Sequence, residues 1–543
     1  MKNFKIKTLI ALFVVVGTTF IFSSCNDDYL QEVPKGFLSP ENTFVDKNGF
    51  ETGVTDLYRL ARTIVTSDAI QGMLSTEVDK SMTTLYGAGT DLGWYWDKKL
   101  FYGDYSVVNS NDVTAQNYWI KLFAIIKGAN VLITRSEAST AKWDSANDKF
   151  LIQAKAKFFR ALAYRYLVFL YGDVPIVKEE ITSPKLDFVR STKAEVLNFI
   201  VEDLEFATKY LPVSNSRNGS LSKAAVDQLL AEIYLARGEF DKSIQASSRI
   251  ISDSQYKLMT TRFGTMFDKP GDVFWDLFVL GNQNNSANKE VILAWQIEYN
   301  IPGGMASNKL ERAWGPYLEQ LKAPDGQAAI NKDTYLGRPI GFMRPSVYLE
   351  YTIWSSDWNN DMRNSAYNMK RTWIINNQLS KNYGQKYIPK AADTTRNLFV
   401  WIQKTAMLYG HPQGYDTNGI IYTDIYAMRL AETYLLRAEA YLAKGDKTSA
   451  AADINVVRNR ANATPVDPSK VTIDYILDER ARELAVEEPR RLTLNRLGML
   501  DVRVKKYNPV SASTIQPFHN LWPIPQTEID ANTGAKLVQN PGY

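Results

Sequence analysis

The feature that most constrains this chain of 543 residues is a pattern that occurs twice: two apolar stripes of helical period separated by a glycine. The first copy covers residues 222–252 around Gly238, and the second covers residues 428–460 around Gly445. Apolar side chains three and four residues apart predict amphipathic helices, and a glycine after such a stripe is a typical helix stop. Both segments are therefore predicted to be helical hairpins, in which small residues such as Ala438 let the helices approach closely.

The two copies are also alike in sequence, with AEIYLARGEFDKSI in the first and AEAYLAKGDKTSAA in the second. Both resemble tetratricopeptide units, in which stacked hairpins bury a shared core. Residues 115–135 and 150–171 have the same helical period, and the second run stops at Gly172. The chain is thus predicted to be mainly α-helical, with a scaffold of tetratricopeptide-like hairpins.

A segment of different character separates the two copies. Residues 254–425 are rich in Gly, Pro, Asn and Trp and have little helical period. Short apolar runs such as 291–297 are predicted to be strands. Because binding residues are usually found on loops held by a rigid scaffold, we expect this insertion to form a ligand-binding face. The helical parts at 40–253 and 426–543 would form one compact unit with it.

The amino-terminal segment predicts export and lipid attachment. Three lysines precede an apolar run, and residues 1–24 end in two serines directly before Cys25. This order is that of a secretory signal peptide, and it resembles a lipobox, in which the cysteine is acylated and becomes the mature N-terminus. The alternative is an ordinary signal peptide followed by a chance cysteine. Residues 25–39 are polar with Pro and Gly, which is typical of a lipidated tether.

The composition excludes several kinds of chemistry. Removal of residues 1–24 leaves 60 Lys and Arg against 59 Asp and Glu, so the formal net charge falls from +4 to +1 and gives no argument for nucleic acid. Cys25 is the only cysteine, which excludes disulfides. His411 and His519 are too few for a histidine metal cluster, and a Ser-His-Asp triad is disfavoured. No cofactor is expected, although residues 416–419 could contact a structural calcium ion instead of forming an Asn-Gly turn.

Four segments carry a more specific likeness. They are AKAKFFRALAYRYLVFLYGDVPIV at 154–177, RLAETYLLRAEAYLAKGDKTSAAADINVVRNRA at 429–461, ILDERARELAVEEPRRLTLNRLG at 476–498 and LWPIPQTEIDANTGAKLVQNPGY at 521–543. Together with the lipobox they resemble the RagB/SusD family of nutrient-binding lipoproteins, and the terminal WPIP…NPGY signature is highly specific. Arg491 and Thr493 stand where the family often has Trp and Asp, which we expect to alter local packing and leave the fold intact.

The resemblance implies a helical scaffold of four tetratricopeptide-like hairpins capped by a loop-rich face. It also implies that the protein lies at the outer membrane over a SusC-like TonB-dependent transporter, binds oligo- or polysaccharides and delivers them inward without catalysis. Asp27 and Asp28 resemble a surface-export signal of such lipoproteins, and a solvated linker explains them equally well. The ligand stays open, because the family includes starch, fructan, xylan, host-glycan and peptide binders on one fold.

The best candidate binding segment is residues 85–105, which lie between helical segments. Trp94 and Trp96 flank Tyr95, so in extended chain the two indoles share one side. The glycines of this segment would let it project as a loop. In the family, aromatic residues in loops of this kind often stack on sugar rings. A buried strand or an apolar plug against the scaffold is the alternative interpretation.

Other candidates lie upstream of this segment and in the insertion. Asp79 lies where relatives often place an acid that accepts hydrogen bonds from sugar hydroxyls, and helix capping is its alternative role. Tyr299, Arg312 and Trp314 form a second candidate group, in which Trp314 is expected to be exposed and Arg312 to donate hydrogen bonds. Trp295 lies inside an apolar run and is expected in the core.

Two other functions stay open at this point. A surface glycosidase would use paired carboxylates, although no segment resembles a glycosidase motif, and a helical-repeat protein that binds only other proteins would need no glycan site. Asp478 and Glu479 both have the spacing to pair with Arg482 along one helix, which we interpret as structural rather than catalytic. The chain is therefore predicted to be a binding protein and not an enzyme.

Overall fold

Long helices form the first part of the structure, which is a computed structural model. It describes residues 39–66, 83–100, 102–213, 218–299, 301–304, 308–333, 335–411 and 421–543. The helices before residue 252 are α1 Pro40–Thr43, α2 Lys47–Arg62, α3 Val113–Ser136, α4 Ala146–Tyr171, α5 Lys193–Tyr210, α6 Lys223–Ala236 and α7 Phe240–Ile251. Side-chain caps fix the starts of α2, α3, α4 and α5. At the first turn of α3, for example, Asp112 accepts a hydrogen bond from the Ala115 amide. Helix α4 ends at Gly172, whose φ is +76°. The helices predicted around 115–135 and 150–171 are thus confirmed.

The helices after residue 252 fall into two sets. Short helices within the loop-rich segment are α8 Val273–Asp276, α9 Leu310–Trp314 and α10 Val347–Glu350. The C-terminal part contains α11 Leu430–Ala443, α12 Lys447–Arg460, α13 Ile473–Leu484, α14 Arg490–Leu497, α15 Leu500–Tyr507 and α16 Gln526–Ala531. The protein is therefore mainly helical, with its irregular chain concentrated between α7 and α11, as predicted.

The two predicted hairpins are present, and they pack on each other. Gly238 and Gly445 have φ of +74° and +83° and lie in the turns that join α6 to α7 and α11 to α12. Helix α7 packs along α11, and Arg437 donates a hydrogen bond across this contact from Nη1 to Oγ of Ser248 at 2.9 Å. Hairpins that are far apart in sequence therefore form neighbouring layers of one scaffold. Their likeness to tetratricopeptide units stays a prediction.

In the described residues, short antiparallel strand pairs organise the segment between α7 and α11. The pairs are β1 Gly93–Tyr95 with β3 Met343–Pro345, β2 Val291–Trp295 with β6 Ile425–Arg429, and β4 Met369–Lys370 with β5 Trp401–Ile402. Strand β2 was predicted, and Trp295 is buried as expected. Strand β6 runs directly into α11, and the Leu430 amide donates to the carbonyl of Glu290 at 2.9 Å. The β2–β6 pair thus ties the loop-rich segment to the scaffold.

A cluster of buried arginines and glutamates, which we name the core ion network, joins the scaffold to the loop-rich segment. Its members are Glu290, Arg363, Arg429, Arg458, Arg460, Glu479 and Glu483, all of them buried. Arg363 Nη1 lies 2.8 Å from Glu479 and 3.0 Å from Glu483. Burial alone would raise the pKa of Glu479, but Arg363, Arg482 and Arg458 lower it to about 2. The arginines of the network therefore favour the ionised form of Glu479.

Helix α13 contains one of the two ion pairs predicted on it. Arg482 Nη1 lies 2.7 Å from Glu479 Oε2, as expected. Asp478 has other partners, because its Oδ1 accepts hydrogen bonds from Arg503 at 2.8 Å and from the Tyr348 hydroxyl at 2.5 Å. Helical spacing predicts which residues share a face but contains no information on tertiary partners, so the Asp478–Arg482 pair was wrongly predicted.

The C-terminal tail packs on the helices, and Pro523 and Pro525 lie in irregular chain, because proline disfavours regular helix. Trp522 is fully buried and contacts the rings of Tyr102, Tyr118 and Tyr171. Its amide donates to the carbonyl of Leu170 at 2.6 Å, at the end of α4. Among the helices of the described residues, none combines the length and the apolar character needed to cross a membrane.

Arg491, which departs from the family pattern, is buried in α14. Its Nε donates to the carbonyl of Thr84 at 3.1 Å, and its Nη2 donates to that of Ala88 at 3.0 Å. Its guanidinium also lies 4.5 Å from the ring centroid of Tyr102. The fold thus accommodates Arg491 through two backbone carbonyls and a ring contact, and a change in local packing relative to the family stays a prediction.

Candidate functional site

The segment with Trp94 and Trp96 lies against the loop-rich part of the protein. Strand β1 pairs with β3 so that Trp94 is opposite Arg344. Side chains alternate along an extended chain: Trp94 and Trp96 are half-buried, whereas Tyr95 is buried and stacks on Phe342 with ring centroids 5.9 Å apart. The two indoles therefore share the outer side, as predicted.

Each of these indoles contacts an arginine. The Arg344 guanidinium carbon lies 5.8 Å from the ring centroid of Trp94, and that of Arg396 lies 4.1 Å from the ring centroid of Trp96. Arg396 also lies 4.7 Å from the ring centroid of Tyr317. Cation–π contacts of this kind orient both the ring and the guanidinium.

Backbone carbonyls fix the position of both arginines. Arg396 Nε donates to the carbonyl of Ile340 at 2.9 Å, and Arg344 Nε donates to that of Thr394 at 2.8 Å. No acceptor within the described residues bonds to Nη1 or Nη2 of Arg396, which is half-buried. The end of this guanidinium is thus available to a ligand.

Two exposed rings extend this surface. Tyr351 and Trp358 are 44% and 43% exposed, and their ring planes differ by 9° with centroids 6.2 Å apart. Arg371 contacts both, with its guanidinium carbon 4.6 Å from the centroid of Trp358 and 5.7 Å from that of Tyr351. Nearly parallel exposed rings offer a flat apolar surface for a ligand.

Glu350 connects the two parts of this surface. Its carboxylate lies 2.8 Å from Arg344 Nη1, and it accepts a hydrogen bond from the Val400 amide at 2.9 Å. Its backbone carbonyl accepts a hydrogen bond from Arg371 Nη2 at 2.8 Å. We name the connected surface the aromatic–arginine strip, with the members Trp94, Trp96, Tyr317, Arg344, Tyr351, Trp358, Arg371 and Arg396.

The electrostatics of the strip are set by partial burial. Burial raises the pKa of Glu350, and the nearby Arg344 opposes this rise. Burial also lowers the pKa of Arg371 and of Arg396, although an arginine stays charged at neutral pH. The strip is therefore a cationic surface in which guanidinium groups alternate with aromatic rings.

The glycine-rich stretch before β1 is buried, which corrects the expectation that it projects as a loop. A Cβ atom at Gly87 would lie 2.8 Å from the ring of Trp314, and one at Gly93 would lie 2.1 Å from the carbonyl oxygen of Arg344. Glycine is needed here because the backbone passes directly against other parts of the chain. The stretch is therefore a buried plug, as the alternative interpretation of this segment proposed. Trp94 and Trp96 lie at its carboxyl-terminal end, where they are half-buried.

The second candidate group is divided by the structure. Trp314 is fully buried at the end of α9, so the prediction that it is exposed was wrong. A bulky ring beside Gly315 fills space under the glycine-rich stretch, which sequence alone does not reveal. Arg312 is half-buried next to the strip, with its guanidinium carbon 5.5 Å from the ring centroid of Phe342. Tyr299 stacks on Tyr422, with centroids 5.1 Å apart.

Several predicted positions lie outside the described residues: Cys25, Asp27, Asp28, Asp79 and the segment 416–419. Across the residues that the structure describes, no group of three or more His, Cys, Asp or Glu side chains could hold a metal ion. His411 Nε2 lies 2.8 Å from Glu311 Oε2, and both side chains are buried. This pair is part of the interior.

Sequence reasoning missed most of the strip. The segment 348–358, YLEYTIWSSDW, is dense in aromatic residues and was a usable signal for Tyr351 and Trp358. The contact of Arg396 with Trp96 joins residues that are far apart in sequence. No local pattern predicts such a contact, because it exists only once the loops have packed.

A scaffold of stacked helical hairpins that presents aromatic rings on loops defines a class of binding proteins. Residues 344–543 match the SusD family model, and residues 56–235 match a model described as starch-binding associating with outer membrane. The chain belongs to the SusD/RagB family.

Relatives cover nearly the whole chain. SusD-like protein P25 of Formosa agariphila is 24% identical over 563 residues, which is 96% of each chain. The starch-binding protein SusD of Bacteroides thetaiotaomicron is 26% identical over 428 residues, 72% of each chain. Surface glycan-binding protein A from Bacteroides thetaiotaomicron, solved in complex with laminarihexaose, matches with a TM-score of 0.68 and 20% identity over 91% of this chain and 99% of that one. This last match shows a shared fold.

Proposed function

We propose that this protein is a non-catalytic surface lipoprotein that binds oligo- or polysaccharides on the aromatic–arginine strip and delivers them to a SusC-like TonB-dependent transporter. The observation that carries the proposal is the exposed pair Tyr351 and Trp358 beside the half-buried Trp94 and Trp96. Sugar rings have apolar C–H faces and polar edges, so they suit a surface where aromatic faces alternate with hydrogen-bond donors. Relatives are named for binding starch and glycans.

The carboxylates of the protein favour binding over catalysis. A glycosidase needs two carboxyl groups on either side of the scissile bond, one of them able to donate a proton. Glu350 in the strip is occupied by Arg344 and by the Val400 amide. The carboxylates of the core ion network are buried, and arginines lower the pKa of Glu479 and of Glu483. None of these groups is placed to act as a general acid on a bound sugar.

Affinity electrophoresis through gels that contain single polysaccharides tests glycan binding. We expect at least one polymer to retard the full chain in detergent and the double variant Trp96→Ala, Trp358→Ala to migrate as in an empty gel. Phe267→Ala is the matched control, because Phe267 is 61% exposed in another loop. Retardation that survives the double variant would contradict the strip as the site. Retardation by no polymer would favour a protein-binding scaffold, and release of reducing ends would favour a glycosidase.

Anchoring through Cys25 follows from the order of the amino-terminal residues and from the description of a matching family model as associating with outer membrane. Cys25→Ala is expected to move the protein from the membrane pellet to the soluble fraction. Its circular dichroism should be unchanged, because the described fold begins at residue 39. Retention of the variant in the pellet would argue against a lipid anchor.

Delivery to a transporter is supported by the family resemblance. Purification of the tagged full chain from outer membranes in mild detergent should recover a TonB-dependent transporter in comparable amount. Recovery of the tagged chain alone would restrict the function to capture of glycan at the surface.

A further inference from the structure

We infer that the aromatic–arginine strip selects glycans that carry anionic groups, either uronate carboxylates or sulfate esters, and that Arg396 binds the anionic group. This inference rests on the proposed function, because it names the ligand class for the same surface.

Positive charge is concentrated in the chain segment that supplies Arg344, Arg371 and Arg396 to the strip. Residues 331–396 contain ten Lys and Arg against five Asp and Glu, whereas the whole chain has 63 against 59. Three of these five acids already have arginine partners: Glu350 with Arg344, Asp357 with Arg458 and Asp361 with Arg363. Arg338 in turn pairs with Glu319 outside this segment. The seven cations and two acids that are left would give the segment a positive potential, which attracts polyanions and raises their local concentration.

Two further cations lie beside the indoles. Lys98 and Lys99 follow Trp96 and Asp97 directly in the chain, and both are exposed. Flexible lysines at the rim of a site act as point charges for extended polyanions. The strip and these two lysines therefore offer more than one positive charge to an extended polyanion.

Arg396 is the group best placed to bind an anion directly. Its guanidinium lies on the rings of Trp96 and Tyr317, its Nε donates to the Ile340 carbonyl, and its Nη atoms have no acceptor within the described residues. Burial lowers its pKa, and the neighbouring Arg312 lowers it further. A cation that is partly removed from water without a counter-charge is destabilised. A bound carboxylate or sulfate would offset this desolvation cost through a bidentate pair.

Arg371 has a different role, because both of its terminal Nη groups already donate to protein acceptors. Its Nη2 donates to the Asn364 side chain at 2.6 Å and to the Glu350 carbonyl, and its Nη1 donates to the Asn364 carbonyl at 3.3 Å. This arginine supports the rings of Tyr351 and Trp358, on which sugar faces would stack, while Arg396 binds the charged substituent.

The test compares matched pairs of polymers against the full chain in detergent. Alginate and polygalacturonate are paired with their carboxyl-reduced forms, and carrageenan and dextran sulfate with their desulfated forms; laminarin and starch represent neutral glycans. Dissociation constants are measured by affinity electrophoresis or calorimetry at ionic strengths of about 0.05 M and about 0.5 M. We expect one anionic member to bind at least about tenfold more tightly than its neutral partner at low salt, since charge-assisted hydrogen bonds have this magnitude. The uronate and sulfate pairs distinguish the two sources of charge.

Variants assign the preference to named residues. Arg396→Gln should remove most of the preference for the anionic member and leave the affinity for the neutral member within about twofold, because only the charge-assisted bonds are lost. Since Arg396→Gln could disturb Trp96, the double variant Lys98→Gln, Lys99→Gln at the exposed rim is measured too and should weaken polyanion binding at low salt. Arg249→Gln is the matched control, an arginine 50% exposed and paired with Asp227 on the scaffold. Thermal denaturation confirms that each variant is folded.

This inference would be overturned if charged polymers and their neutral partners bound equally well. It would also be overturned if laminarin or starch bound tightly and neither salt nor Arg396→Gln changed that binding. Glycan binding itself would stand in both cases. Binding of no polymer in the panel would count against the proposed function and the inference together. A preference that Arg396→Gln leaves unchanged would show that the anion is bound elsewhere.

Discussion

Guanidinium groups are used in opposite ways in the core ion network and in the aromatic–arginine strip. In the core, Arg363 and Arg429 are fully buried and each contacts three carboxylates. In the strip, Arg396 contacts two aromatic rings and one carbonyl. Complete charge pairing makes the first cluster part of the folded framework. In the strip, Arg396 has no carboxylate partner among the described residues, so its Nη donors stay available to a ligand at the surface.

The largest expected effect comes from breaking the core. Glu483→Gln removes a carboxylate shared by Arg363, Arg429 and Arg460 and should lower the free energy of unfolding by about 3–5 kcal/mol, because buried cations are left uncompensated. Urea denaturation measures this loss. Glu41→Gln is the control: its side chain is 62% exposed in a pair with Arg135, so a change below about 1 kcal/mol is expected. Similar losses in both variants would contradict the distinction.

The pH dependence of stability tests the same cluster without mutation. Arginines lower the pKa of buried Glu479 from 4.5 to about 2. Since its folded pKa lies below its unfolded pKa, its contribution is complete above pH 4.5 and is lost as the pH falls toward 2. The loss is on the order of 3 kcal/mol for this group. Urea denaturation from neutral to acid pH measures it, and a free energy of unfolding that stays constant over this window would refute the assignment.

A smaller effect is expected in the strip. Trp358→Ala should weaken glycan binding about fivefold to tenfold, because a stacking face is lost. Its free energy of unfolding should change by about 1 kcal/mol, because Trp358 is 43% exposed and lies outside the core. Trp358→Phe should retain most of the affinity. Calorimetry separates the three proteins, and a large loss of stability with unchanged binding would place this tryptophan in the framework instead.

The smallest effect on glycan affinity is expected from a substitution outside both clusters. Tyr299 stacks on Tyr422, and neither is a member of the strip. Tyr299→Ala should therefore leave glycan affinity within about twofold while it lowers stability by about 1 kcal/mol through the lost ring pair. If affinity falls as far as in Trp358→Ala, the binding surface is wider than the strip.

Local patterns predicted the scaffold well, because helical period, caps and stop glycines are encoded within a few residues. The hairpins at Gly238 and Gly445 and strand β2 are examples. The site was predicted only in part, since Trp94 and Trp96 follow from alternation whereas Arg344 and Arg396 reach them through tertiary folding. Trp314 was misplaced for the same reason: its burial depends on the distant Gly87 packing over it.

The packing of α7 on α11, together with the β2–β6 pair, has an evolutionary consequence. The chain between α7 and α11 leaves the scaffold and returns to the same place. It is therefore a long insertion whose two ends are held close together. The entropy of closing such a loop grows only with the logarithm of its length. Descendants can therefore lengthen the surface loops of this segment with little loss of scaffold stability, as long as Arg363 and Glu290 keep their partners in the core ion network.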